Sequence, residues 1–100
     1  MSVQTVESSE NNQVVIKVSG RFDFTCHQEF VSGYRAYPPG LKSYVVDLSQ
    51  TEFMDSSAMG MLLQLREYGD KKSGVSLVKG RDSVKDILRI ANFDKLFTIV

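Results

Sequence analysis

A β-rich run that leads into an unusually apolar helix constrains the fold of this chain more than any other feature. Tyr44, Val45 and Val46 are aromatic or β-branched, so a strand is predicted over residues 43–48, and a short polar connection follows over residues 50–54. A helix is then predicted to begin near Ser56, and its apolar residues between Met59 and Tyr68 cover most of its circumference. Such a helix needs cover on more than one side. The sequence therefore predicts a strand and a helix that share one core.

The rest of the chain repeats this alternation of strands and helices. Further strands are predicted at Val3–Glu7, Val14–Val18, Val75–Val78 and Leu96–Val100, and further helices are predicted to begin at Cys26 and Ser83. The first two strands form a hairpin in this interpretation, and the later crossovers imply parallel pairing. We predict one α/β domain over residues 1–100. Its mixed, mostly parallel sheet has about five strands with an antiparallel N-terminal hairpin at the edge, packed against three helices.

Capping patterns predict where the helices begin and end. Thr25 and Gln28 have the spacing of a capping box, so the first helix is expected to follow a loop over residues 21–24. Gly74 is the predicted C-cap of the second helix. Asn92 can adopt the left-handed conformation that closes the third helix.

The charge and cysteine content exclude several classes of function. Twelve basic and twelve acidic side chains give a formal net charge of zero, so no basic face for nucleic acid or an anionic membrane is expected. Cys26 is the only cysteine, which excludes an intrachain disulfide and suits a reducing compartment. The N-terminus does not resemble a signal peptide, and no apolar run approaches the roughly 18 residues of a membrane span. We expect a cytoplasmic protein that binds neither nucleic acid nor a membrane.

The sequence does not indicate an enzyme. A serine at a strand-to-helix turn is typical of a nucleophile elbow, but that motif needs flanking glycines and a histidine base. Ser56 lacks such glycines, and His27 is the only histidine. One histidine and one cysteine give no metal-ligand set, and the glycines form no phosphate-binding loop. We predict no catalytic residue, metal or cofactor, with a small hydrolase or nucleotide-using protein as the lesser alternative.

Ser56 has two competing interpretations. The first turn of a helix presents unpaired N–H groups and the positive end of the helix dipole, so a phosphate on Ser56 would lie where anions are favoured. Asp55 or Ser56 could instead be only the helix cap. Asp23 is expected at the carboxyl end of another strand, where it could converge with Ser56. Ser57 is a second hydroxyl at the same place.

The same segment carries a family resemblance. The segment FMDSSAMG at residues 53–60, preceded by VVDL at residues 45–48, resembles the signature of the STAS domain of bacterial anti-sigma factor antagonists. Residues 18–23 and 92–97 resemble other parts of that domain, so the similarity covers nearly the whole chain. Ala58 departs from the pattern, because the family usually has a glycine there.

The resemblance implies a partner-switching mechanism. In that family the unmodified protein binds an anti-sigma factor that is also a serine protein kinase. Phosphorylation of the serine after the motif aspartate blocks this binding, and a PP2C-type serine phosphatase restores it. The matching residues here are Ser56 as the phosphorylation site, with Ser57 as second choice, and Asp55 and Asp23 as the supporting acids. The alternative within the family is an adaptor or structural subunit of a protein complex that is never phosphorylated.

Several residues around Ser56 are candidates for contact with a partner. They are Phe22, Phe24, Phe53, Met54, Ser57 and Met59. Aromatic residues anchor interfaces and methionine adapts to a partner surface. Packing in the core is the competing interpretation for each of the apolar ones.

Overall fold

The computed structural model describes residues 2–8, 11–71 and 74–100. The strands are β1 (Val3–Ser8), β2 (Gln13–Val18), β3 (Gly20–Phe22), β4 (Ser43–Asp47), β5 (Thr51–Met54), β6 (Val75–Val78) and β7 (Thr98–Ile99). The α-helices are α1 (His27–Arg35), α2 (Ser56–Tyr68) and α3 (Asp82–Ile90). Short 3-10 helices at Phe24–Cys26 and Phe93–Lys95 precede α1 and β7.

Five of the strands form the main sheet in the order β1-β2-β4-β6-β7. β1 and β2 pair antiparallel as a hairpin, with Val3 opposite Val18. The other three pairings are parallel. A helix connects each successive parallel pair, α1 between β2 and β4, α2 between β4 and β6, and α3 between β6 and β7. The predicted α/β fold, with its antiparallel N-terminal edge and three helices, is confirmed.

A second, two-stranded sheet was not predicted. β3 and β5 pair in parallel, although the sequence indicated a loop at residues 21–24 and a polar connection at residues 50–54. The buried Thr51 joins this sheet to the main one, because its hydroxyl donates to the Val18 carbonyl at 2.8 Å. Where the two strands of the small sheet begin, the Gly20 N–H donates to the Gln50 carbonyl at 2.9 Å. Strands of three and four residues are too short to show an alternating pattern, so only their pairing reveals them.

The core lies between the main sheet and the helices. Val14, Ile16 and Val18 of β2 are fully buried on one face, as their alternation predicted. α2 contributes Ala58, Met61, Leu62 and Leu65, which lie three or four residues apart and therefore share one face of the helix. Half-buried Met59 and Tyr68 widen this face, but Leu63 is 38% exposed, so the prediction that the helix needs cover on more than one side is wrong.

Two helix ends differ from their predictions. α1 begins at His27 after a 3-10 turn whose N-cap is Asp23, so the predicted Thr25 capping box is wrong. α2 ends at Tyr68 with Gly69 as C-cap, and not at Gly74. Tertiary hydrogen bonds end it early, because the backbone of residues 68 and 70 pairs with that of residues 40 and 42. Asn92 does adopt the predicted left-handed conformation, with φ of 60°.

The helices within the described ranges do not include a candidate membrane span. α2 is the longest of them at 13 residues. A helix needs about 20 predominantly apolar residues to cross a bilayer.

Candidate functional site

The pairing of β3 with β5 places two aspartates side by side at one edge of the small sheet. Phe22 and Met54 are partners in the parallel register, and Asp23 and Asp55 are the next residues on the two strands. Each strand then enters a helix. Asp23 and the start of α2 therefore converge, as the positions of these residues at strand ends predicted.

The two aspartates make the same kind of cap. The Asp23 carboxylate accepts a hydrogen bond from the Thr25 N–H at 3.0 Å and another from the Thr25 hydroxyl at 2.5 Å. The Asp55 carboxylate accepts from the Ser57 N–H at 3.0 Å, from the Ser57 hydroxyl at 2.6 Å and from the Ala58 N–H at 3.2 Å. The N-cap of α2 is therefore Asp55, and Ser56 has no capping role.

These hydrogen bonds stabilise the charged form of both carboxylates. Donation by the Ser57 hydroxyl is the main reason that the pKa of Asp55 lies below its ordinary value, and the negative charge of Asp23 opposes this shift. The Thr25 hydroxyl and N–H lower the pKa of Asp23, with a smaller contribution from Arg21. Both groups are ionised at neutral pH, so two negative charges flank the start of α2.

The two neighbouring serines differ in what their hydroxyl groups do. Ser56 is the first residue of α2 and is exposed, and its hydroxyl makes no hydrogen bond within the described part of the chain. The Ser57 hydroxyl donates to Asp55, and this residue is half-buried. Only the Ser56 oxygen is thus free to accept a new covalent group without breaking a cap.

Exposed aromatic side chains lie beside the serines. Phe24 is 68% exposed and stacks on His27 with ring centroids 4.8 Å apart. Phe53 is 39% exposed and lies under the Arg21 guanidinium, 4.3 Å from the ring centroid. Arg21 also forms an ion pair with Asp23 at 3.2 Å. Aromatic residues and arginine on one surface are typical of protein-binding sites.

A shallow depression of about 260 Å³ borders this surface. Its lining residues are Phe24, His27, Ser57, Gly60, Met61 and Gln64. Gly60 is exposed, and a methyl group added there would meet open space, so the missing side chain leaves room for a partner group and not for the packing of α2.

The structure divides the predicted contact residues into two groups. Phe24, Phe53 and the half-buried Ser57 lie at the surface. Phe22 and Met54 are only 0% and 2% exposed, so the prediction that they contact a partner is wrong: they hold the small sheet against the core. Half-buried Met59 packs against that same core.

Arg21, His27 and Gly60 are site residues that sequence reasoning missed. Recognition of β3 would have found Arg21, because alternation along a strand places it on the face opposite the buried Phe22. His27 was considered only as a possible hydrolase base, yet its ring stacks on the exposed ring of Phe24. Gly60 gives no signal in the sequence, since a glycine in a helix is equally compatible with close packing.

Cys26 is a structural residue at this site. Its thiol is buried and donates to the Asp23 carbonyl oxygen at 3.2 Å. Burial raises the pKa of the thiol above its ordinary value. Reactive cysteines have a lowered pKa, so this one is unreactive. Within residues 2–8, 11–71 and 74–100, no cluster of three or more histidine, cysteine or acidic residues could hold a metal ion.

Comparison with known proteins identifies the family. A family model described as "Mlab, STAS domain" matches residues 5–100. The chain belongs to the STAS domain family. A STAS-domain containing protein of Pseudomonas aeruginosa is 39% identical to it over 100 residues, which covers 99% of each chain. The family consists in general of regulatory, non-enzymatic domains.

Solved STAS structures share the fold. An anti-sigma factor antagonist from Mycobacterium paratuberculosis superposes with a TM-score of 0.75 at 24% identity, covering 98% of this STAS domain and 85% of that chain. The anti-sigma factor antagonist SpoIIAA in its unphosphorylated form gives a TM-score of 0.68 at 17% identity, with 98% and 86% covered. SpoIIAA from Bacillus has also been solved in a phosphorylated form, with a TM-score of 0.62 at 18% identity and 98% and 90% covered.

Proposed function

We propose that this STAS domain is a partner-switching regulator controlled by phosphorylation of Ser56. In the unphosphorylated state it binds and sequesters an anti-sigma factor that is also a serine protein kinase, or an equivalent switch partner. Phosphorylation of Ser56 blocks that binding, and a PP2C-type phosphatase restores it. The observation that carries the proposal is the free, exposed hydroxyl of Ser56 beside an exposed aromatic surface.

The hydrogen bonds at the helix start favour Ser56 over Ser57 as the acceptor. A phosphate on Ser57 would remove the hydroxyl that donates to Asp55 at 2.6 Å and would place its own charge against that carboxylate. A phosphate on Ser56 breaks no hydrogen bond within the described ranges. The kinase therefore gains access to Ser56 without unfolding the first turn of α2.

The phosphate acts mainly on the interface and not on the fold. Attraction by the dipole of α2 contributes roughly 0.3–1 kcal/mol, and repulsion by the Asp55 and Asp23 carboxylates opposes it. Asp55 already accepts from two of the first N–H groups of the helix, so these are not free for the phosphate. An unpaired charge buried under a partner costs on the order of 3–5 kcal/mol, or about 10²- to 10³-fold in affinity. Binding is therefore lost while the domain stays folded.

The contact surface proposed for the partner consists of Phe24, Phe53, Arg21 and the depression at Gly60. Phe24 and Phe53 provide apolar area that is exposed in the free domain. Arg21 is held by its contacts with Phe53 and Asp23, so little side-chain entropy is lost when it enters an interface.

Phosphate transfer from ATP tests the site. Purified wild type, Ser56→Ala and the matched neighbour Ser57→Ala are incubated in a lysate of the native host, and any phosphate is located by peptide mass spectrometry. We expect label on wild type and Ser57→Ala and none on Ser56→Ala. Label on Ser57 alone would refute the assignment, because it would show that the capped hydroxyl is the acceptor.

Binding of a partner tests the switch. Wild type, Ser56→Ala and Ser56→Asp are immobilised, and proteins captured from the same lysate are compared. We expect Ser56→Ala to bind constitutively and Ser56→Asp to bind at least about tenfold more weakly, since one carboxylate carries less charge than a phosphate. Treatment of the phosphorylated wild type with a PP2C-type phosphatase should restore binding. Equal capture by Ser56→Asp and wild type would contradict an electrostatic switch.

The second candidate is a STAS adaptor that is never phosphorylated and serves as a subunit of a protein complex. The exposed faces of Phe24 and Phe53 favour it, because they could form a permanent interface without any modification. Its signature would be the absence of label in the transfer experiment together with equal binding by Ser56→Ala and Ser56→Asp. Loss of binding in Phe24→Ala would then locate the permanent interface.

A further inference from the structure

A polar cleft of about 520 Å³ lies on a different part of the domain, between the edge strand β1 and helix α1. The two elements approach each other closely at Gly33, where an added methyl group would be 2.5 Å from the Thr5 hydroxyl oxygen. Val3 and Thr5 form the strand wall. Gln28, Glu29 and Ser32 form the helix wall, because residues three and four apart share one face of a helix.

The cleft contains a carboxylate of which only one oxygen accepts a hydrogen bond. Glu29 Oε1 accepts a hydrogen bond from the Ser2 hydroxyl at 3.2 Å. Glu29 Oε2 is buried from solvent and has no hydrogen-bond partner within residues 2–8, 11–71 and 74–100. A buried acceptor without a donor is costly, most of all when it carries charge. Glu29 is one of the residues that line the cleft, so a donor bound there could supply the hydrogen bond that this carboxylate lacks.

The lining favours one chemical class of ligand. Among the described residues that line the cleft, Glu29 is the only charged one, and none is a lysine or an arginine. The hydroxyls of Thr5 and Ser32 and the amide of Gln28 supply further acceptors. A primary ammonium group carries three donors and one positive charge, and an alkyl stem could lie along Val3. A bare metal ion would need more carboxylates than this wall provides.

We propose that the cleft between β1 and α1 binds a primary alkylammonium group through the carboxylate of Glu29. The group belongs to a free aliphatic amine or to a lysine side chain of a protein, since both carry the same ammonium and stem. The site does not depend on the proposed phosphorylation of Ser56. It uses other residues and is tested on the unmodified domain without a partner, so its failure would leave the proposed function untouched.

Chemical-shift titration of the amide N–H groups tests the proposal. The full chain labelled with ¹⁵N is titrated with butylammonium chloride at constant ionic strength. We expect saturable shifts concentrated at Thr5, Ser32 and Gly33. Glu29→Gln should weaken the affinity about 10- to 100-fold, the value of a charge-assisted hydrogen bond. Glu67→Gln is the matched control, because Glu67 is exposed on α2 and does not line the cleft, so this variant should bind butylammonium as tightly as wild type.

A second variant changes the shape of the cleft and keeps its charge. Ser32→Leu keeps Glu29 but fills the space with an apolar side chain at an exposed helix position, where folding should be unaffected. It should lose the localised shifts. Affinity in Glu29→Gln or Ser32→Leu equal to that of wild type, or shifts spread over all acidic surfaces, would overturn the proposal.

Two further ligands identify the source of the ammonium group. Putrescine represents a free amine, and the peptide acetyl-Ala-Lys-Ala-amide represents a lysine on a protein. Tighter saturation by putrescine assigns the cleft to a small-molecule amine, and tighter saturation by the peptide assigns it to a protein partner. Failure of both to saturate at millimolar concentration would refute the site.

Discussion

At the scale of single residues, two aspartates define the start of α2. Asp55 caps α2 through the Ser57 and Ala58 N–H groups. Asp23 caps the 3-10 turn that follows the neighbouring strand β3 through the Thr25 N–H group. Their side-by-side position leaves Ser56 as the exposed residue between a negative edge and an aromatic surface. The caps fix the backbone at the start of α2, and the Ser56 hydroxyl takes no part in them.

The lowered pKa of Asp55 predicts a pH-dependent contribution to stability. A carboxylate whose pKa is lower in the folded than in the unfolded state stabilises the fold above the unfolded value of about 4. This contribution is lost as the pH falls through the lower, folded value. Urea denaturation between pH 7 and pH 3 should therefore show the free energy of unfolding of wild type decreasing below about pH 4.

Asp55→Asn and Asp55→Ala separate charge from capping. Asparagine caps a helix about as well as aspartate, so Asp55→Asn should be nearly as stable as wild type at pH 7 and less sensitive to acid. Asp55→Ala should have a lower Tm at every pH, because its cap is missing. An acid sensitivity of Asp55→Asn equal to that of wild type would contradict the assigned role of this carboxylate.

At the scale of elements, the glycines of α1 and α2 differ in whether packing requires them. A methyl group on Gly33 would be 2.5 Å from the Thr5 hydroxyl, so this glycine allows α1 to approach β1 closely. A methyl group on Gly60 would meet nothing within 4 Å, so the fold does not need this glycine. Of these two glycines, only Gly33 is therefore needed for the packing of its helix.

Two glycine substitutions are predicted to change stability in opposite directions. Gly60→Ala should raise the free energy of unfolding by about 0.5–1 kcal/mol, because alanine is the better helix former. Gly33→Ala should lower it by about 1–3 kcal/mol through overpacking against Thr5. Urea denaturation measures both. In a Thr5→Ala background, Gly33→Ala should lower the free energy of unfolding by less than it does in wild type. An equal decrease in that background would show that overpacking against Thr5 is not the cause.

Gly60→Ala also tests the partner surface. The variant should be more stable than wild type and yet bind the captured partner more weakly, because its methyl group enters the depression beside Ser57. Unchanged affinity would place the interface away from this depression.

At the scale of the whole molecule, stability depends on the face of α2 that is buried in the core. The Cα radius of gyration is 12.2 Å, close to the roughly 13 Å of a compact domain of this length. Such a domain has a stability of only about 5–15 kcal/mol, so one core residue is a large part of the total.

Neighbouring leucines of α2 provide a matched pair for this prediction. Leu62 is 0% exposed and Leu63 is 38% exposed. Leu62→Ala should cost about 2–5 kcal/mol through lost burial and the cavity left behind. Leu63→Ala should cost less than about 1 kcal/mol. The difference is read from urea midpoints, and similar losses for both variants would contradict the observed orientation of α2.

The sequence by itself determined the class of fold and the place of the candidate site. Alternation in β2 and the apolar density of α2 are local patterns that report burial, so strands, helices and the N-terminal hairpin could be predicted from them. The position of Ser56 directly after Asp55 was also visible.

Only the tertiary structure decided which residues surround that serine. The pairing of β3 with β5 joins segments about thirty residues apart, and a three-residue strand carries no periodic signal of its own. That pairing buries Phe22 and Met54, exposes Arg21 and brings Asp23 beside Asp55. The early end of α2 and the cleft at Glu29 likewise arise from contacts between distant segments, which no local pattern encodes.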